Sequence, residues 1–172
     1  SGEDAKKLFL DIKDYSKTSP FEFDSLLKAS QQLLALDTSA RDVIPTLKSL
    51  STAVFAVTGG QNAPERLNDL IVALGQIKAA GALTGEEFRQ LRNANVAFID
   101  DLAKSFGLTV DQFRKAIVDR TLPAKEIIPA ILENIENRFK KFGDKIQETS
   151  AVAFSNFRDV LKITADEAVR QY

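Results

Sequence analysis

The chain has no cysteine, no histidine, no methionine and no tryptophan, and only eight glycines and five prolines in 172 residues. Without cysteine there is neither a disulfide framework nor a thiol nucleophile, and the redox compartment stays open. Without histidine the commonest general base and the commonest metal ligand are both missing. No apolar run approaches the ~20 residues that a bilayer-crossing helix needs, and no secretory leader pattern is present. Charge of one sign is not in surplus: 23 basic against 24 acidic residues leave a net charge of −1. A basic surplus is the usual footprint of a nucleic-acid binder, so this balance points away from one. The chain opens Ser1-Gly2, which reads as a cloning scar, so we expect a piece of a longer protein.

What is present suits a folded domain. Hydrophobic residues make up 44% and charged residues 27%, which is not a disordered composition. The length fits one domain over 1–172, able to bury roughly 70% of its unfolded surface. Hydrophobic spacing predicts an all-α architecture of about eight helices with short loops, and no segment alternates as a strand would. A first helix over Glu3–Ser16, with Ala5, Leu8, Phe9 and Ile12 apolar, is broken at Ser19-Pro20, because the residue before proline is pushed out of helical geometry. We expect this helix, within 1–18, at the periphery. A second helix runs from about Phe23 to Leu36, with Leu26, Leu27, Ala29, Leu33 and Leu34 inward. Thr38-Ser39 caps a third that runs to about Val57.

The central stretch is the most strongly patterned. Leu67, Leu70, Ile71, Leu74 and Ile77 fall on one face of a helix that is entered through Pro64 in its first turn. Gly75 lies inside it, and Gly81 can take the left-handed conformation that ends it. Thr84-Gly85-Glu86-Glu87 has the pattern of a capping box, in which the Thr84 hydroxyl and the Glu87 carboxylate each satisfy a backbone N–H. Phe88 and Leu91 carry the next apolar face. A helix over Val96–Phe106 ends at Gly107, and Thr109 to Gln112 caps the next, with Val110, Phe113, Ala116 and Ile117 inward. Pro123 opens a longer helix to about Gly143, through Ile127, Ile128, Ile131, Leu132, Ile135, Phe139 and Phe142. A last helix from about Ser150 carries Phe154, Phe157, Val160, Leu161 and Ala165 within 150–172. We expect it to lead into the downstream part of the longer protein. Ser39–Leu47 and Pro123–Ile131 echo each other, and Pro45 and Pro129 are each expected to kink a helix.

No constellation here supports catalysis, and we expect no enzyme, no cofactor and no metal site. The carboxylate pairs Glu86-Glu87, Asp100-Asp101 and Asp166-Glu167 consist of adjacent helical residues pointing about 100° apart, so they do not converge on one atom. Gly59-Gly60 lacks the strand and the Gly-Lys ending of a phosphate loop. Leu102–Ile117 reads as helix, glycine turn and capped helix, the form of a helix-turn-helix. On that alternative, Asp111, Gln112, Arg114 and Lys115 would face the DNA major groove, although Asp111 and Asp119 would then sit toward phosphates. The twelve phenylalanines fall mostly on the apolar helix faces, with Phe21 and Phe23, beside Pro20, expected to be partly exposed.

Several stretches together resemble the N-terminal domain of a tailed-phage tape measure protein. They include Ser19-Pro-Phe-Glu-Phe23, Gln31-Gln-Leu-Leu-Ala35 and Asp42-Val-Ile-Pro-Thr-Leu-Lys-Ser-Leu50. The more specific ones are Ala73-Leu-Gly-Gln-Ile-Lys-Ala-Ala-Gly81, Leu83-Thr-Gly-Glu-Glu-Phe-Arg-Gln-Leu91 and Gly107-Leu-Thr-Val-Asp-Gln-Phe-Arg-Lys-Ala-Ile117. Ile128-Pro-Ala-Ile-Leu132 and Ser155-Asn-Phe-Arg-Asp159 complete a collinear set from Ser19 to Lys162. Asn95 and Ala97 depart from the Gly and Pro that such domains tend to carry there. The motif positions are Pro45, Gly75, Gly81, Thr84, Gly85, Glu87, Gly107 and Pro129, and Gln76, Lys78, Arg89 and Gln90 are candidate partner contacts.

The resemblance implies a structural assembly module of a phage or prophage tail, contributing to tail-length determination through protein–protein contacts. It implies tail-tube subunits, tail-assembly chaperones and further copies of the chain as partners, with no nucleic acid and no membrane. It also implies a place in the bacterial host cytoplasm during assembly and then in the interior of the tail.

Overall fold

In the computed structural model, which describes residues 2–143, the polar–apolar pattern resolves into eight helices. These are α1 (Gly2–Thr18), α2 (Phe23–Ala35), α3 (Ala40–Thr58), α4 (Ala63–Ala80), α5 (Gly85–Asn93), α6 (Ile99–Ser105), α7 (Val110–Val118) and α8 (124–143). Among the described residues there is no strand; an isolated bridge pairs Ala82 with Pro123. There the Leu83 N–H donates to the Leu122 carbonyl and the Ala124 N–H to the Gly81 carbonyl, both at 2.9 Å. The loop before α5 is thereby fastened to the start of α8. The all-α expectation holds. The last helix expected from Ser150, with the acids Asp166-Glu167, lies outside the described residues.

The core is centred on α3 and α4. Helix α3 packs on α1, α2 and α4, α4 packs also on α2 and α5, and α6 packs on α7. Val43, Leu47 and Leu50 of α3 and Leu74 and Ile77 of α4 are fully buried, each such side chain contributing about 1.5–3 kcal/mol. All five apolar positions that the sequence assigns to the α4 face are buried. Helix α1 buries Leu8, Ile12 and Tyr15, and its Tyr15 hydroxyl meets Ser51 of α3 at 2.7 Å. The echo between Ser39–Leu47 and Pro123–Ile131 is a shared first turn. The Ser39 carbonyl accepts from Asp42 and Val43 N–H groups, and the Pro123 carbonyl from Glu126 and Ile127. Pro45 and Pro129 then fall at the same helical position, and both helices run on across their prolines.

Four expectations are corrected. Phe21 is 1% exposed, because its N–H donates to the buried Ser19 hydroxyl at 3.1 Å and this tight turn about Pro20 sends the ring inward. Phe23 alone of that pair is half-buried, set edge-on to Phe9 at 5.3 Å. Helix α6 begins at Ile99, not Val96. Asn95 takes φ 56°, the left-handed geometry that asparagine tolerates, and Val96 and Ala97 continue as buried, non-helical chain. The Thr84 hydroxyl donates to the Glu87 carboxylate, so neither side chain reaches the backbone and the expected capping box does not close. It closes instead at α7, where Thr109 Oγ1 accepts from the Gln112 N–H at 3.2 Å and Gln112 Oε1 from the Thr109 N–H at 2.9 Å. Finally, Leu34, expected inward, and Phe9 and Phe142, counted with the apolar positions of their helices, are each more than two-fifths exposed.

Candidate interaction surface

Helix α4 is the ridge between two grooves. Against α2, Gln32 Nε2 donates to Asn68 Oδ1 at 3.1 Å. A side chain at Gly75 would sit 3.7 Å from Leu36, and Lys78 donates to the Ala35 carbonyl at 3.1 Å. These contacts advance together along both helices, so α2 and α4 lie parallel. Their C-terminal ends are latched by Lys78, whose ammonium also pairs with Asp37 at 2.6 Å. Their N-terminal ends leave a groove of about 310 Å³ lined by Ser25, Lys28, Gln32, Pro64, Glu65 and Asp69, among others. The Gln32 Oε1 atom is buried without a hydrogen-bond partner among the described residues.

On the other side of the ridge, α4 and α5 enclose a groove of about 300 Å³ lined by Arg66, Asp69, Val72, Gln90, Leu91 and Asn93, among others. Asp69 belongs to both grooves, and Val72 is 41% exposed. The surface is therefore a helix ridge with mixed charge and one exposed valine, flanked by two shallow channels. It suits the packing of another helix better than the enclosure of a small molecule, since drug-sized ligands are usually held in largely apolar, enclosing pockets.

The four candidate contacts divide on this surface. Gln76 is exposed on α4 and Gln90 lines the α4–α5 groove. Arg89 forms a two-pronged pair with Glu86, with Nη2 2.8 Å from each carboxylate oxygen. The Arg89 hydrogen bonds, then Gln90's, hold the Glu86 carboxyl below its ordinary range, and Glu86 in turn raises the Arg89 guanidinium. Lys78 is engaged inside the domain by its latch to α2. Gln32, Asn68, Asp37, Arg66 and Val72, which shape the surface, carried no signal in the sequence, because grooves arise between helices distant in the chain. Of the motif glycines, Gly81 sits at φ 76° and Gly107 at φ 65°, while Gly75 is helical and Gly85 opens α5.

Helices α6 and α7 do form the predicted hairpin about Gly107. The polar side chains of α7, however, are bonded locally: Arg114 to Asp111 at 3.6 Å, Lys115 to Asp119 just past its end at 2.6 Å, and Gln112 in the cap. Phosphate contact would require Arg114 and Lys115 to leave those acids. Among the described residues no three or more His, Cys, Asp or Glu side chains group so as to hold a metal ion, and no helix is long and apolar enough to cross a membrane.

A family model described as tape measure protein matches residues 1–169. No curated protein and no solved structure matches the chain.

Proposed function

The chain belongs to the tape measure protein family, a structural component of the phage tail, and on that premise we propose that this domain is an assembly module acting through protein–protein contacts. Its partners are tail-tube subunits, tail-assembly chaperones and further copies of the chain. It engages them in the host cytoplasm during assembly and then lies in the tail interior, where the whole protein contributes to setting tail length. The observation that carries the reading is the family match over nearly the entire chain. The α4 ridge supports it, since two open grooves of about 300 Å³ flank one exposed helix face and ridges and grooves are how helices pack. Gln76 and Gln90 are the contacts proposed on this face, with Arg89 beside them. Coexpression of the tagged chain with its cognate tube subunit and tail chaperones tests the proposal. Co-purification of at least one of them is expected, weakened at least tenfold by Val72→Glu with Gln90→Glu. Binding to none of them, or binding indifferent to that double change, refutes the recruiting role or its placement on α4.

A further inference from the structure

Given α4 as a contact face, which is the reading proposed above, we infer that helix α1 of a second copy of this chain lies antiparallel across it. The exposed line of α4 runs through Glu65, Asp69, Val72, Gln76 and Ala79, at steps of four, three, four and three. The outer line of α1 runs through Glu3, Lys6, Leu10, Lys13 and Lys17, at steps of three, four, three and four. A rhythm of 3.5 residues keeps a stripe facing a neighbouring helix along its length, and each line is about 21 Å long. Reversing α1 makes the two step patterns coincide. Leu10 then meets Val72, Lys13 meets Asp69, Lys17 meets Glu65 and Lys6 meets Gln76.

The chemistry along the two lines is complementary. Leu10 and Val72 are 48% and 41% exposed, and each sits at the middle of its line. Lysines follow Leu10 toward the end of α1, and carboxylates precede Val72 toward the start of α4. No ion pair among the described residues engages Lys6, Lys13, Glu65 or Asp69. Lys17 holds Asp14 at 2.6 Å with both side chains exposed, and such a surface pair is weak enough to be exchanged. Lys28 and Arg66 stand off the α4 line, in the flanking grooves. A parallel α1 would set Glu3 against Glu65 and leave one opposite-charge pair in place of two. Within one chain α1 packs on α2 and α3 through Leu8, Ile12 and Tyr15, so its outer line reaches an α4 only on another copy. Every copy carries both faces, and the contact therefore repeats from copy to copy.

Charge exchange in the full chain tests the pairing. Lys13→Glu with Lys17→Glu makes the α1 line acidic, and Glu65→Lys with Asp69→Lys makes the α4 line basic. All four positions are exposed, so both variants should fold, as circular dichroism will check. A single helix pair is a small interface, so sedimentation of the wild type is expected to show self-association with a Kd of about 0.1 mM. The salt should be about 50 mM, where exposed charges are little screened. Each double variant alone should associate at least tenfold more weakly. An equimolar mixture of the two should restore the wild-type level, because the acidic α1 of one meets the basic α4 of the other. A mixture that associates no better than its components, or self-association indifferent to both double changes, overturns the inference. So does a wild type that stays monomeric at about 1 mM. If that monomer still captures the tube subunit through Val72, the pairing with α1 alone falls; if it captures no tail partner, the reading of α4 as a contact face falls with it.

Discussion

The contact between Tyr15 and Ser51 offers the sharpest check on how α1 is held. Ser51 is fully buried and Tyr15 is 8% exposed. The Ser51 hydroxyl lies 2.7 Å from the Tyr15 hydroxyl and 2.6 Å from the Leu47 carbonyl, so it keeps a partner when the phenol is removed. Tyr15→Phe removes the shared bond while leaving Ser51 bonded to Leu47, a cost of about 1 kcal/mol. Ser51→Ala leaves the buried phenol only its Ser19 partner and costs about 1 kcal/mol. The double variant should cost less than the sum by about 1 kcal/mol, the coupling of one shared bond. In a chain of this size each kcal/mol moves Tm by roughly 2–4 °C, so thermal and urea melts of the four proteins read the cycle.

The same pair has a pH signature. Burial raises the Tyr15 pKa, partly offset by hydrogen bonds to Ser51 and Ser19. The folded state therefore keeps the phenolic proton to higher pH than the unfolded state. The stability this confers is complete below the unfolded value of about 10 and is lost as pH climbs through the raised folded value. Across that window the loss runs at about 1.4 kcal/mol per pH unit. Lysines titrate nearby, Lys48 over the Tyr15 ring at 5.4 Å included, so the informative quantity is the difference between wild type and Tyr15→Phe. That difference should shrink with rising pH. Additive single costs, together with identical alkaline limbs, would refute the buried bond.

Backbone geometry sets two further outcomes. Gly81→Ala should destabilise by about 1 kcal/mol, because φ is 76° with no atom within 4 Å of the new Cβ and the penalty is purely conformational. Gly75→Ala should instead stabilise by about 0.5–1 kcal/mol, since Gly75 is helical and its Cβ would meet Leu36 at an ordinary 3.7 Å; a melt of each variant decides, and a sign opposite to the one given contradicts that glycine's assignment. Thr109→Ala should cost about 1 kcal/mol through the lost cap, and Thr84→Ala clearly less, since Thr84 caps no backbone group; urea midpoints separate them.

Helix existence and facing were legible in the chain itself, because burial of a helix tracks a local 3.6-residue rhythm. Leu67, Leu70, Ile71, Leu74 and Ile77 declared the α4 face, Gly81 and Gly107 declared stops, and Thr109 declared a cap. What escaped were properties that depend on residues far apart. Whether Thr84 caps a backbone or bonds Glu87 turns on rotamers in a crowded turn. Phe21 is inward because Ser19 folds the turn around Pro20, and Lys78 is tied up because α2 ends beside it with Asp37 and an open Ala35 carbonyl. The sequence by itself determined which faces of which helices are apolar. Only the tertiary structure decided that α2 and α4 lie parallel and part at their N-terminal ends, since the gap between two helices is set by contacts 36 to 43 residues apart, which no local period encodes.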